Sequence, residues 1–267
     1  MEGSGDRDVI VERRGEVAWL RLNRPERHNA YDIDTVEELI EGLRSSRDAG
    51  VIVITGSGRS FCAGGYLGNL AEPDPDVLRD MFEISLRLFD EIRRSPRPVI
   101  AAVNGFAIGG GNELVVACDL AIAAESAQLG QSGTRVGSAP VLGGTNMLAA
   151  SVGEKRAKEV AMLSRRYSAP QALAMGWINA VVPDAELEAE VGRWCEELLE
   201  LSPRYLEIAK ISSNAWWNLA RESYVSGLGM LTQAIGSEDM VEGARAFTEK
   251  RKPDFRGHGR GRHKGGE

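Results

Sequence analysis

Pro98-Val99-Ile100-Ala101-Ala102-Val103, running on into Asn104-Gly105-Phe106-Ala107-Ile108-Gly109-Gly110-Gly111-Asn112-Glu113-Leu114, is the stretch that decides the fold. The first six residues read as a strand, and the apolar run 114–119 has helical potential. Three glycines between a strand and a helix leave backbone N–H groups uncovered by side chains. At a helix N-terminus those groups point outward, in a field worth about half a positive charge. Two readings stand: a backbone anion site with the Glu113 carboxylate just beyond it, or a tight turn whose glycines permit close strand–helix packing.

Upstream, Val51-Ile52-Val53-Ile54-Thr55-Gly56 is a continuous apolar strand of the kind buried on both faces. A second glycine-bearing turn follows at 60–67, then a loose loop over 71–76 with Pro73 and Pro75. Residues 77–93 read as an amphipathic helix ended by Ser95-Pro96-Arg97-Pro98. Downstream, 120–124 is another short buried strand. Strands and helices thus alternate as in a parallel sheet with right-handed crossovers, an α/β arrangement.

Farther out, 9–22 reads as a hairpin around Arg14-Gly15-Glu16, and 23–30 as a polar loop. A helix begins at Asp32 or Asp34, with Val36, Leu39, Ile40 and Leu43 at helical spacing. Beyond the glycine-rich segment 131–145 the chain turns helical, at 146–151, 154–163, 169–175, 184–201 and 203–217. A last helical region covers 223–252, interrupted at Gly236. Trp216 and Trp217 fall within a helix, as packing or subunit contacts. The tail from Gly257 lacks apolar residues and is expected to be disordered.

With 267 residues the chain can bury a full core. Its net charge of −7 argues against general nucleic-acid binding, though not against a local basic patch. Cys62, Cys118 and Cys195 have neither paired nor metal-type spacing and read as reduced core thiols. The N-terminus has no signal-peptide pattern, and no apolar stretch approaches the roughly 20 residues that span a bilayer. A cytoplasmic protein without membrane or nucleic-acid partners is expected.

Asn23-Arg24-Pro25 with Asn29-Ala30, Phe61-Cys62-Ala63-Gly64-Gly65, Ala102 to Leu114, and Glu249-Lys250-Arg251-Lys252-Pro253-Asp254-Phe255 together resemble the crotonase (enoyl-CoA hydratase/isomerase) superfamily. The match runs in order from Val9 to Phe255. It implies an α/β spiral of ββα units over 9–200, with a helical C-terminal trimerisation region over 201–256 between a disordered 1–8 and a disordered 257–267. It also implies an acyl-CoA substrate, a homotrimer or a hexamer made as a dimer of trimers, and no metal or separate cofactor, coenzyme A arriving as the thioester.

By position, the resemblance places the two enolate-holding N–H groups on Gly65 and Gly110, and an acid/base carboxylate on Glu113. Tyr66, Gly133, Ser138 and Asn146 then belong to the acyl pocket. Arg27, His28, Ala30, Ala63, Lys250 and Phe255 fall in the CoA-holding segments. His28 also reads as a plain surface histidine, and Lys250-Arg251-Lys252 as a solvated face.

Hydratases of this superfamily carry a second glutamate in a G-Q-P-E segment, and the matching position here is Gly133. Gly130-Gln131-Ser132-Gly133-Thr134-Arg135-Val136-Gly137-Ser138 instead resembles the dihydroxynaphthoyl-CoA synthases and ketocyclohexanecarboxyl-CoA hydrolases. Their following aspartate is replaced by Ala139-Pro140. From Gly137 to Asn146 the chain is most similar to oxocyclohexene-carbonyl-CoA hydrolases, which hydrate a conjugated ring and then open it. Ring opening of a cyclic keto- or enoyl-CoA is the leading expectation. The alternatives are a hydratase or isomerase on a simple 2-enoyl-CoA, with Glu113 working alone, and a non-catalytic CoA-binding paralogue.

Overall fold

A computed structural model of the chain describes residues 7–66, 68 and 73–255. Among the described residues, ten strands form two sheets. The larger has the order β1 (Val9–Arg14), β2 (Val17–Leu22), β3 (Val51–Gly56), β5 (Val99–Val103), β7 (Leu120–Ala124), β10 (Ala180–Val182). The smaller runs β4 (Ser60–Cys62), β6 (Phe106–Ile108), β8 (Gln128–Gly130), β9 (Arg166–Ser168). From β2 to β10 every pairing in the larger sheet is parallel, and β1 closes its edge as the antiparallel arm of the hairpin.

Each turn of the chain lays one strand in each sheet and then adds a helix. β3 and β4 lead to α2 (Pro75–Arg94), and β5 and β6 lead to α3 (Gly110–Ala117). This is the α/β spiral of ββα units; α4 (Leu148–Val152), α5 (Glu154–Leu163), α6 (Ala169–Ala174) and α7 (Leu187–Leu199) come next, and a helical C-terminal region follows them. Every residue of β3 and β5 is buried, so their unbroken apolar runs face packed layers on both sides. The short second-sheet strands escape the sequence reading because three residues are too few to show a period. β4 and β6 fall within the two glycine-bearing turns of the sequence reading, and β8, β9 and β10 fall between its assigned segments.

Two asparagines hold successive strand-to-strand turns in register. Asn29 Nδ2 donates to Ser57 O and Ser60 O at 2.9 and 2.6 Å. Asn104 Nδ2 donates to Gly58 O at 3.0 Å, while Gly56 N donates to Asn104 Oδ1 at 3.2 Å. Buried backbone groups at the turns thus find side-chain partners where the ladder stops.

α1 (Ile33–Ser45) starts at Asp32, whose side chain accepts from Thr35 N, which settles the choice between Asp32 and Asp34. α2 starts two residues earlier than expected. Asp74 accepts from Asp76 N and Val77 N and Pro75 takes the first turn, so residues of the expected loop become a helix cap. The rest of that loop lies partly outside the described residues. So do the expected disordered ends, apart from Arg7 and Asp8 and, at the other limit, nothing beyond Phe255. Asp8 is held by Thr35 Oγ1, which donates to its carboxylate at 2.8 Å.

The C-terminal helices need one correction. Residues 203–217 do not form one helix: α8 (Pro203–Ser213) ends at Asn214, and α9 (Ala215–Gln233) carries both tryptophans. Asn214 Nδ2 donates to Arg93 O at 2.8 Å, and that anchor fixes the break on the core. Trp217 is buried, whereas Trp216 is 66% exposed. α10 (Glu238–Thr248) follows the expected interruption at Gly236. The three cysteines are free and buried, as core thiols should be. Among the described residues, no helix is long and apolar enough to cross a membrane.

Candidate active site

The triple glycine serves both of its readings, at different residues. Gly109 has φ +59°, a left-handed conformation, and its N–H donates to Gly130 O at 2.9 Å. Gly111 packs so tightly that an added Cβ would lie 1.9 Å from Cys62 O. Gly110, between them, opens the helix. Among the described residues its N–H has no acceptor, as a first-turn helical N–H does not.

The second glycine turn faces it. A Cβ on Gly64, at φ +91°, would lie 2.8 Å from Gly110 N. Gly65 pairs with Tyr31 in an isolated parallel bridge. Its bonds are Tyr31 N to Gly64 O and Tyr66 N to Tyr31 O, both 2.9 Å. That pattern uses the groups flanking Gly65 and leaves its own N–H without an acceptor among the described residues. Two free backbone donors from two ββ turns therefore border one cavity of about 110 Å³.

Glu113 stands one helical turn inside α3, and its N–H donates to Gly109 O at 3.0 Å. It is the only carboxylate lining the cavity among the described residues. Leu142 N and Gly144 N donate to its Oε1 at 2.9 and 3.1 Å. Burial pushes the Glu113 carboxyl up to about 7, against the downward pull of those two N–H groups. A group poised there can take a proton and give it back near neutral pH.

Ala63, Gly133 and Ser138 also line this cavity, together with apolar side chains of α2 and Leu231 of α9. Two expected pocket residues do not. Tyr66 is 40% exposed, with the Arg27 guanidinium 4.9 Å above its ring. Asn146 Nδ2 donates to Val141 O at 3.3 Å, away from the lining of this cavity. Gly133 has its place for a packing reason: a Cβ there would meet the Ser138–Ala139 backbone at 3.1–3.2 Å. The glycine-rich loop occupies the space into which a second carboxylate would grow.

The CoA-holding candidates fall in two groups. His28 and Ala30 lie in the loop before Tyr31, with His28 Nδ1 3.0 Å from Ser60 Oγ. Phe255 lines a separate cleft of about 520 Å³ with Arg135, Arg251 and Lys252, and Lys250 sits at φ +54° just after α10. Another cavity, of about 270 Å³, lies on the far side of α3, but its carboxylate, Asp119, is paired with Lys210 Nζ at 2.7 Å.

Sequence reasoning missed Tyr31, Gln131 and the two loop N–H groups on Glu113. Backbone donors leave no side-chain signature. Gln131 is 2% exposed, lines the cavity, and has neither amide atom partnered among the described residues. Its neighbours in the glycine-rich motif drew attention to Gly133 instead.

Comparisons with known proteins agree with this fold. The sequence model of the enoyl-CoA hydratase/isomerase family matches residues 12–258. An enoyl-CoA hydratase from Mycobacterium avium subsp. paratuberculosis K-10 is 28% identical, with TM-score 0.84 over 91% of this chain and 100% of that one. A carnitinyl-CoA hydratase from Mycobacterium avium is 30% identical, with TM-score 0.83 over 93% and 98%. An enoyl-CoA hydratase from Bacillus anthracis is 32% identical, with TM-score 0.76 over the same shares, 93% and 98%. With the family matched along nearly its whole length and the ββα spiral in place, the chain belongs to the enoyl-CoA hydratase/isomerase family.

Proposed function

We propose that this acyl-CoA enzyme adds water across a double bond conjugated to the thioester, with Glu113 as its sole acid/base group. Gly65 and Gly110 N–H hold the thioester oxygen. The Glu113 carboxylate takes a proton from water as the water oxygen bonds to Cβ, and the alkene electrons move onto the thioester oxygen as an enolate. The enolate Cα then takes that proton back from Glu113, so the elements of one water are added. Each backbone donor of such a hole is worth about 3–4 kcal/mol in the transition state. The reading rests on one observation: a single carboxylate shares the cavity with both unpaired N–H groups.

Ring opening is a second reading, favoured by one feature. The 137–146 stretch similar to the oxocyclohexene-carbonyl-CoA hydrolases forms the cavity wall at Ser138, Ala139, Pro140 and Leu142. On a cyclic keto-enoyl-CoA the same hydration would come first and C–C cleavage second. Crotonyl-CoA and a cyclohexene-carbonyl-CoA, assayed side by side, separate the two. Turnover of crotonyl-CoA supports simple hydration, and turnover of the ring substrate alone supports ring opening. CoA binding without turnover on either sinks both in favour of a non-catalytic paralogue. The trimeric or hexameric assembly implied by the resemblance belongs to this proposal, supported by exposed Trp216, Leu219 and Met230 on α9. Analytical ultracentrifugation tests it, and a monomer at micromolar concentration would refute it.

A further inference from the structure

Tyr31 carries no role in the reaction as described, yet it touches both glycines of the hole. Its backbone brackets Gly65, accepting from Tyr66 N and donating to Gly64 O, both at 2.9 Å. Its ring then spans the gap between the two turns. A Cβ on Gly65 would lie 3.8 Å from Tyr31 Cε2, and a Cβ on Gly110 would lie 2.0 Å from Tyr31 Oη. The hydroxyl therefore rests against the Gly110 backbone, in the wall of the cavity that holds Glu113.

The geometry points to Tyr31 as a further catalytic residue, whose hydroxyl donates a third hydrogen bond to the thioester oxygen as it becomes an enolate. The inference rests on the enolate reading of this cavity and adds a side-chain donor to its two backbone donors.

The chemistry suits a donor and not a base. A phenol ionises near pH 10, and burial, helped by Cys62 and the Glu113 carboxylate and opposed by a hydrogen bond with the Ser85 hydroxyl, raises Tyr31 further, so its O–H is intact at neutral pH. The phenol is 6% exposed, which removes competing water. Hydrogen bonds to a charged oxygen are roughly twice as strong as those between neutral groups, so the phenol binds the enolate better than the ground-state carbonyl. Ser85, one of three serines that line this wall with Tyr31, donates its own proton to Met81 O at 2.7 Å. A third donor also gives physical sense to a site with one carboxylate. Stronger holding of the enolate offsets the absent second acid.

Tyr31→Phe removes the oxygen and keeps the ring, so the wall stays filled. The first probe is cinnamoyl-CoA, whose ultraviolet band moves to longer wavelength when donors polarise the thioester carbonyl. Wild type should show that movement on binding. Tyr31→Phe should bind the same probe with a movement cut to about half or less, at an unchanged unfolding midpoint. Crotonyl-CoA hydration should lose about 10²-fold or more in kcat with KM within about twofold, the size expected for one lost hole donor. An identical band movement in both proteins, with kcat within about twofold, overturns the inference while leaving the two-glycine hole standing. No band movement in wild type overturns the hole, and the inference with it.

Discussion

Leu142 N–H donates to Glu113 Oε1 at 2.9 Å, so a loop backbone, and no side chain, aims the cavity's carboxylate. Gly144 N–H adds a second bond to the same oxygen at 3.1 Å. Glu113 itself lines the cavity. One carboxylate oxygen is thus held for position, and the other accepts no bond from the described residues.

Glu113→Gln keeps an oxygen for the two loop N–H groups but cannot carry a proton. Hydration of a confirmed enoyl-CoA should fall about 10²–10⁴-fold in kcat. In wild type kcat should rise with pH through about 7, since the carboxylate form starts the reaction. The variant should lose that limb. Retention of wild-type turnover by Glu113→Gln would remove Glu113 from the mechanism.

The same substitution should stabilise the fold at high pH. Glu113 titrates at about 7 when folded, against an ordinary 4.5. Between those values the folded chain holds a proton that the unfolded chain releases, so wild-type stability falls as pH rises from 4.5 to 7. Above 7 the accumulated cost is about 3 kcal/mol. Glu113→Gln has no such penalty. Urea unfolding should show the variant gaining on wild type from pH 5 to pH 8, and a constant difference would contradict the buried, ionising carboxylate.

The two hole glycines should respond differently to alanine, although each keeps its N–H. At Gly65 the nearest atom to an added Cβ is 3.8 Å away, so Gly65→Ala should fold and turn over within a few-fold of wild type. At Gly110 the Cβ would lie 2.0 Å from Tyr31 Oη and 2.9 Å from Cζ, so the ring must move. Overpacking of this kind costs about 1–3 kcal/mol. Gly110→Ala should lose that much stability, and part of it should return in the double variant with Tyr31→Phe. Equal behaviour of the two alanine variants in chemical denaturation would argue against this packing.

The buried strands 51–56 and 99–103, the hairpin and the helix over 154–163 were legible because apolar run length and turn residues repeat over five or more positions. The second sheet was not, because Ser60–Cys62, Phe106–Ile108 and Gln128–Gly130 are three residues each and pair only across the spiral. In the site, the strand–glycine–helix pattern points to a backbone anion site beside Glu113, and the resemblance to the crotonase superfamily singles out Gly65 and Gly110. Leu142 and Gly144 act through backbone N–H, which any residue but proline supplies. Tyr31 falls between the polar loop at 23–30 and the helix that follows, and only the folded chain, with its bridge to Gly65, brings the ring against both glycine turns.

Lys210 joins the C-terminal helices to the core through a buried ion pair. Its Nζ contacts Asp119 Oδ2 at 2.7 Å and donates to Ile92 O and Arg97 O, both at 2.8 Å. Asp119 also accepts from Val99 N at 2.8 Å, at the start of β5. Lys210→Met should cost about 3–5 kcal/mol, because it leaves a buried carboxylate without its cation. Adding Asp119→Asn should recover much of the loss, as an amide oxygen can still accept from Val99. Unfolding free energies of the four proteins in a double-mutant cycle measure the coupling, and strict additivity would refute it.

Gly133→Glu puts a carboxyl side chain where hydratases of the family are expected to carry one. Its Cβ would meet Ala139 Cα and Ser138 O at 3.1 Å, and Ser138 N already donates to Gly133 O at 2.8 Å, so backbone must shift to make room. The shift falls on the loop whose Leu142 and Gly144 N–H groups hold Glu113. The new carboxylate should therefore disturb the existing one more than it assists it. The variant should lose about 1–3 kcal/mol of stability, and its crotonyl-CoA hydration should stay at or below the wild-type rate. A rate gain of tenfold or more would show that the loop yields easily, and that the absent carboxylate, not the packing at Gly133, limits the reaction.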